Sequence, residues 1–360
     1  MNRDNKPQLP GEAGRVVRTL KEGYWDRTEI VELPDGSQRV RKSARGDAPP
    51  GPWGVAALRR EIEYLATLPE RSRSAFPPLL ARWDESSASP PRVGYEVPYY
   101  PKHPDAGHLA RAMLVQQPEV ESFQELLADL LLGRVHEPVP ATAQPLSAHV
   151  TAVVEHALLA LEQEAALAPL IRADTIRLNG EARRGTRAAF ERIASDAEVL
   201  LLLDGEPQVR LHGDFFLENV LWRRSEIGAT ASELLLIDPV SVAGIAQGPP
   251  SFDLVKYESY ASGELFALRS ALVEVGGFDG SSDYWSRIRW EAPELRPFRE
   301  RDWRTRFRAR FEEHYGASDS RACRLLDGYF SVAMAVNTNG NQRRARLLKA
   351  TCDFNAAAEV

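Results

Sequence analysis

Residues 16–20, 28–33 and 38–43 alternate apolar with polar side chains and are rich in β-branched residues, a pattern that predicts strands. Between the second and third lies Pro34-Asp35-Gly36-Ser37, a hairpin turn in which Asp-Gly supplies the positive φ that such turns need. The chain therefore opens as an antiparallel meander. After a Gly/Pro-rich loop at 46–54 the period changes. Val55, Leu58, Ile62, Leu65 and Leu68 share one face of a helix over 55–68. Two more strands are expected at 78–83 and 92–100, separated by the polar loop 84–91. Five strands with a helix after the third make a small lobe over 15–101, preceded by a polar tail at 1–14 that reads as mobile. From 102 to 360 helices dominate, at 120–135, 149–168, 182–203, 262–275, 302–315 and 321–337, with a loop at 136–147. The exception is 208–261, where short apolar strands at 208–211 and 234–237 bracket a polar loop. The class is α+β, an antiparallel five-stranded N-terminal lobe and a mainly helical C-terminal lobe.

Composition narrows the partners. A chain of 360 residues with 43% hydrophobic and 27% charged residues reads as an ordinary globular protein of two units. Its net charge of −6 gives no reason to expect nucleic acid or an anionic membrane as partner. The two cysteines, Cys323 and Cys352, have no zinc-ligand spacing, and a disulfide framework is not expected. The longest apolar runs, such as 199–203, are too short to span a bilayer, and the N-terminus lacks an apolar signal core, so cytoplasmic residence is the expectation.

The chemistry concentrates in VRLHGDFFLENVL at 209–221. An apolar strand leads into His212-Gly213-Asp214, Asn219 follows five residues later, and a second apolar strand ends in Asp238-Pro239. Taken singly, Asp214 is a turn residue, Asn219 a loop hydrogen-bonder and Asp238 a turn initiator. Together they suit phosphoryl transfer, which needs a positioned hydroxyl and cations on the phosphate oxygens. A carboxylate at a strand end can accept the hydroxyl proton. An amide oxygen five residues on, with a second carboxylate at the neighbouring strand end, supplies hard oxygen ligands for Mg²⁺.

HGDxxxxN followed by an apolar strand ending in Asp-Pro resembles the aminoglycoside phosphotransferase and choline kinase superfamily, small-molecule relatives of protein kinases. Gly244 and the helix-opening pair Asp253-Leu254 fit the same pattern. The resemblance spans about residues 15–261 and implies a bilobal protein-kinase-like fold. It implies ATP, with GTP as an alternative, and Mg²⁺ as cofactors, and a small hydroxylated acceptor such as an antibiotic, a sugar or a natural-product intermediate. It assigns Asp214 as catalytic base, Asn219 and Asp238 as metal ligands, His212 as a brace of the loop and Asp253 as a structural residue, a plain helix cap being the other reading.

On the nucleotide side, a kinase-like lobe needs a cation held by a helix carboxylate. Lys42 on the third predicted strand is one of only six lysines in the chain. The following helix offers Glu61 and Glu63, and the resemblance places the partner at Glu61. The phosphate-covering loop departs from the usual pattern, since residues 20–27 hold a single glycine, Gly23. No GxxxxGK[ST] motif is present, which argues against a P-loop kinase. The end of the fifth strand, Tyr99-Tyr100-Pro101, falls where the fold has its hinge. Tyr99 or Tyr100 flanks the base there, or the two pack as an aromatic cluster. The Arg- and Trp-rich stretch 284–310 is either part of a pocket for an anionic acceptor or a solvated face. A non-catalytic kinase-shaped nucleotide-binding module is the rival class. A protein kinase is disfavoured because neither Asp-Phe-Gly nor Ala-Pro-Glu occurs at the required places.

Overall fold

The N-terminal strands β1 (Arg15–Glu22), β2 (Arg27–Glu32), β3 (Gln38–Arg45), β4 (Ala81–Glu85) and β5 (Arg92–Pro98) form one sheet in the order β1-β2-β3-β5-β4, antiparallel throughout. The structure is a computed structural model. It describes residues 14–22, 26–47, 52–140, 145–205, 207–224, 233–240, 244–280 and 283–359. Two compact units divide the chain. One comprises Met1–Gly107, His212–Asp214 and Glu218–Ala246, and the other His108–Leu211, Phe215–Leu217 and Gln247–Val360.

In the first unit the predicted hairpin closes as expected, with Leu33 N–H donating to Ser37 O and Gly36 N–H to Leu33 O, both at 2.9 Å. Alternation along β3 then sorts its side chains. Val40, Lys42 and Ala44 point to one face, where Val40 and Ala44 pack with Val55, Leu58 and Ile62 of helix α1 (Pro52–Ala66) and with Val93, Tyr95 and Val97 of β5. Arg39 and Arg41 point the other way and meet Glu96. Arg41 Nη2 and Nε lie 2.9 and 3.0 Å from Glu96 Oε1, and Arg39 Nη1 lies 3.1 Å from Oε2. Glu96 and Arg41 are both buried. Glu96→Ala would strand Arg41 without its carboxylate, and urea denaturation is expected to show a loss of about 3–5 kcal/mol. A loss within the scatter of surface substitutions would show that the pair contributes nothing.

The structure shifts β4 from the predicted 78–83 to Ala81–Glu85, because residues 70–73 form a helical turn that delays it. A second small hairpin, Val220–Arg223 with Glu233–Leu236, carries the predicted apolar strand before Asp238.

The second unit is mainly helical, as expected, with two departures. The predicted helix at 182–203 is a strand followed by two helices, Thr186–Ala194 and Ala197–Gly205. Strands Thr175–Leu178 and Glu181–Arg184 close on Asn179-Gly180, whose φ values of 53° and 83° are those an Asn-Gly hairpin demands. The predicted helix at 262–275 stops at Arg269, and Val273–Gly276 pairs with Asp283–Ile288 to complete a four-stranded sheet. Helix Ser320–Ala335 starts where Asp319 accepts hydrogen bonds from the N–H groups of Arg321 and Ala322. It packs on a final helix, Gly340–Glu359, that the sequence pattern did not indicate. Among the described residues no helix is long and apolar enough to cross a membrane.

Candidate active site

The alternation that places Val40 and Ala44 in the core carries Lys42 in with them, toward α1. On α1, Leu58 and Ile62 face the sheet, and Glu61 shares that face, whereas Glu63 is exposed. The result is a dry ion pair. Lys42 is 3% exposed and Glu61 1%, and Lys42 Nζ lies 3.0 and 2.9 Å from Glu61 Oε1 and Oε2. Tyr95, opposite Lys42 on β5, donates its hydroxyl to Glu61 Oε1 at 2.6 Å. The same ammonium is 2.9 Å from Asp238 Oδ1, a residue 196 positions away, and 3.1 Å from Asp26 Oδ2.

Burial opposes the charge on Lys42, but Asp238, Glu61 and Asp26 outweigh it and hold the ammonium protonated, well above its ordinary pKa. Burial pushes Glu61 up to about 7 against the pull of Lys42. For Asp238 burial acts upward too, yet Lys42 and then Lys21 hold it below the usual carboxylate range.

His212–Asp214 and Asn219 belong to the same unit and brace one another. His212 is fully buried, with Nε2 3.0 Å from Ile237 O. Its Nδ1 accepts from Asp214 N–H at 3.3 Å. These partners assign the proton to Nε2. One imidazole thus ties Asp214 to the strand end that presents Asp238, and Val240 N–H returns a 2.7 Å hydrogen bond to His212 O. Gly213 takes φ 78°, and a Cβ there would sit 2.3 Å from Ile245 O, so only glycine fits between the two carboxylate-bearing segments. Asn219 donates Nδ2–H to Asp214 O at 2.8 Å. Its Oδ1 is left without a hydrogen bond among the described residues. Asp238 and Val240 adopt φ 55° and 49°, conformations that cost non-glycine residues on the order of 1–3 kcal/mol and cluster at functional sites.

Among the described residues Asn219 Oδ1 and Asp238 Oδ2 are two hard-oxygen donors with no hydrogen bond of their own. Two such groups suit Mg²⁺, which keeps waters and phosphate oxygens as its other ligands. Among the described residues no cluster of three or more His, Cys, Asp or Glu has a metal-holding arrangement.

The other sequence-derived candidates fall as follows. Asp253 is fully buried in helix Ser251–Ala261 of the second unit, with Oδ2 3.2 Å from His136 Nε2. Tyr99 and Tyr100 follow β5. Tyr99 N–H donates to Gln38 O at 3.4 Å, and the Tyr100 ring stands 5.1 Å from that of His103. Gly23 lies outside the described residues. The stretch 284–310 is largely a solvated face. Arg287 pairs with Glu274, Arg296 with Glu300, Arg308 with Glu258 and Arg310 with Asp129, whereas Trp303 is buried in the core. Sequence reasoning missed Asp26 and Tyr95. Tyr95 alternates with Val93 and Val97 on the buried face of β5, a signal that was available, whereas Asp26 next to Arg27 carries none.

No protein-family model and no curated protein matches the chain. Among solved structures it is similar to a candidate fructosamine-3-kinase from Thermobifida fusca, with 17% identity over 95% of this chain and 94% of that one and a TM-score of 0.52. A glucosamine kinase in complex with glucosamine, ADP and inorganic phosphate (16% identity, 94% of each chain, TM-score 0.40) is more distantly similar. So is a macrolide 2'-phosphotransferase from Brachybacterium faecium (16% identity, 94% and 91%, TM-score 0.43). The likeness to the first is one of fold.

Proposed function

We propose that the chain transfers the γ-phosphoryl group of a nucleoside triphosphate, ATP or GTP, to a hydroxyl of a small polar molecule. The observation that carries this reading is the 2.9 Å contact of Lys42 Nζ with Asp238 Oδ1 across 196 residues, made while the same ammonium grips Glu61. A buried lysine held by a helix carboxylate, beside a strand-end carboxylate with an open oxygen, is the arrangement that phosphate and its counter-cation require. In this reading Lys42 binds phosphate oxygens and Glu61 fixes its ammonium. Asn219 Oδ1 and Asp238 hold Mg²⁺, whose charge would offset that of the phosphates when bound. Asp214 orients the acceptor hydroxyl and takes its proton. His212 keeps Asp214 and Asp238 in register, Asp253 stiffens the helical unit, and Tyr99 and Tyr100 border the nucleobase. The Thermobifida fusca structure, named for a fructosamine kinase, supports a small hydroxylated metabolite as acceptor.

The test is ADP release by the purified protein with Mg·ATP over aminoglycosides, peptide and nucleoside antibiotics, sugars and amino alcohols. One class should raise ADP release well above that with water alone. No release with any acceptor, from a protein that binds nucleotide, would support the non-catalytic alternative.

One further consequence concerns Asp26. Its Oδ2 engages Lys42 while Oδ1 has no hydrogen-bond partner. Glu61 and Asp238 accept the ammonium's hydrogen bonds and Asp26 crowds it as an ion pair, so a phosphate must displace one of the three. Asp26 is the carboxylate with no other task in this reading. Asp26→Asn should tighten binding of metal-free ATP about tenfold in calorimetric titration. Weaker binding would make Asp26 a supporting ligand instead.

A further inference from the structure

A second anomaly lies in the helical unit. Arg346, in helix Gly340–Glu359, is 3% exposed, and its Nε has no hydrogen-bond partner. Among the described residues no carboxylate pairs with it, and the charge it meets is another cation, Arg269. Burial first, and Arg269 second, push its pKa down to about 10, so it still carries its charge at neutral pH. A buried guanidinium without a counter-charge is among the costlier arrangements a fold can hold, and it cannot escape by releasing its proton near neutrality.

Beside it is a cavity of about 20 Å³. Its wall is drawn from helices Ser251–Ala261, Glu264–Arg269, Ser320–Ala335 and Gly340–Glu359, and includes Arg346, Lys256, Lys349, Ser331 and Asp327. The one carboxylate in that wall is already engaged. Asp327 Oδ2 lies 2.8 Å from Lys349 Nζ, which also meets Asp353 at 2.9 Å and Glu264 at 3.3 Å. The Lys256 ammonium sits 4.5 Å from the centre of the Phe330 ring. Among the described residues Arg346 is therefore a cation that the local carboxylates leave unmatched. The volume admits one small solute. A water there would leave the charge uncompensated.

We propose that this cavity is a binding site for a small monovalent anion of the size of chloride, with Arg346 as its principal partner and Lys256 and Ser331 as further donors. The site is separate from the phosphotransfer reading and stands whether or not that reading holds. Thermal unfolding at constant ionic strength tests it. Replacing gluconate, which is too large to enter, with chloride or bromide should raise the melting temperature by about 1 °C at a few times the dissociation constant and by about 3–4 °C at a hundred times it. Arg346→Met keeps the length and removes the charge, so it should abolish that dependence and melt higher than the parent in gluconate. Crystals of the unaltered protein grown in bromide should show an anomalous peak beside Arg346, which decides the matter even if the variant does not fold. Equal melting temperatures in all three salts, a halide effect that survives in Arg346→Met, or bromide-grown crystals with no peak there would each overturn the proposal.

Discussion

Asp214→Asn is expected to lower the turnover number by about 10²–10⁴-fold, the usual cost of losing a general base, while leaving nucleotide affinity nearly unchanged. The substitution keeps the side chain's shape and removes its negative charge, and with it the ability to take a proton. The loop should keep its form, because its shorter contact is to the Asp214 backbone and the contact of Asn219 Nδ2 with the Asp214 carboxylate is a long one of 3.4 Å. His212 Nδ1 accepts from the Asp214 backbone N–H, and Asn219 Nδ2 donates to the Asp214 carbonyl. The proposed metal and phosphate ligands are likewise other residues. Steady-state rates on the true acceptor, paired with calorimetric titration of Mg·ATP, check both halves. A folded variant with near-normal turnover would place the base elsewhere and reduce the motif to a structural one.

The second large effect is expected at Lys42, where one substitution should damage binding and stability together. Lys42→Met removes the cation that three carboxylates share, leaving Glu61, Asp26 and Asp238 to repel one another in a dry site. Removing one member of a buried ionic cluster costs about 3–5 kcal/mol, and Mg·ATP binding should fall with it. The stability loss should depend on pH in a set direction. Burial has already raised Glu61 to about 7 in the folded protein, and losing Lys42 removes a charge that pulled it down. A carboxyl whose folded pKa is raised contributes stability that is present at low pH and lost as pH rises through the folded value. Urea denaturation of the variant should therefore show a smaller loss at pH 6 than at pH 8. Unchanged Mg·ATP binding would remove Lys42 from the nucleotide site.

What the sequence displayed, and what it hid, follows from how each feature is encoded. The strand that carries Lys42 was legible from its period of two, whereas the choice of Glu61 over Glu63 came from the resemblance; the period of 3.6 along α1 accounts for it, since Glu61 shares the face of Leu58 and Ile62. The Asn179-Gly180 hairpin was also written in the chain, but the apolar residues that follow suggested one long helix and obscured it. The helix Gly340–Glu359 gave little amphipathic signal because it buries Arg346, Thr351, Asp353 and Asn355 along with its apolar residues. Asp26 and Arg346 could not be singled out at all. Each reads as an ordinary surface charge, and only the packing around them, one against Lys42 and the other beside a cavity whose one carboxylate is already engaged, makes them unusual.

The most direct measurement for the central claim is transfer of the γ-phosphate itself. The purified protein is incubated with [γ-³²P]ATP, Mg²⁺ and a small-molecule extract, and the products are separated by thin-layer chromatography. The account requires label to move from ATP into a new small-molecule spot with the unaltered protein, and to stay in ATP when Mg²⁺ is chelated or when Asp214→Asn is used. Label that never leaves ATP, although the protein binds Mg·ATP, would contradict it, as would equal transfer by Asp214→Asn.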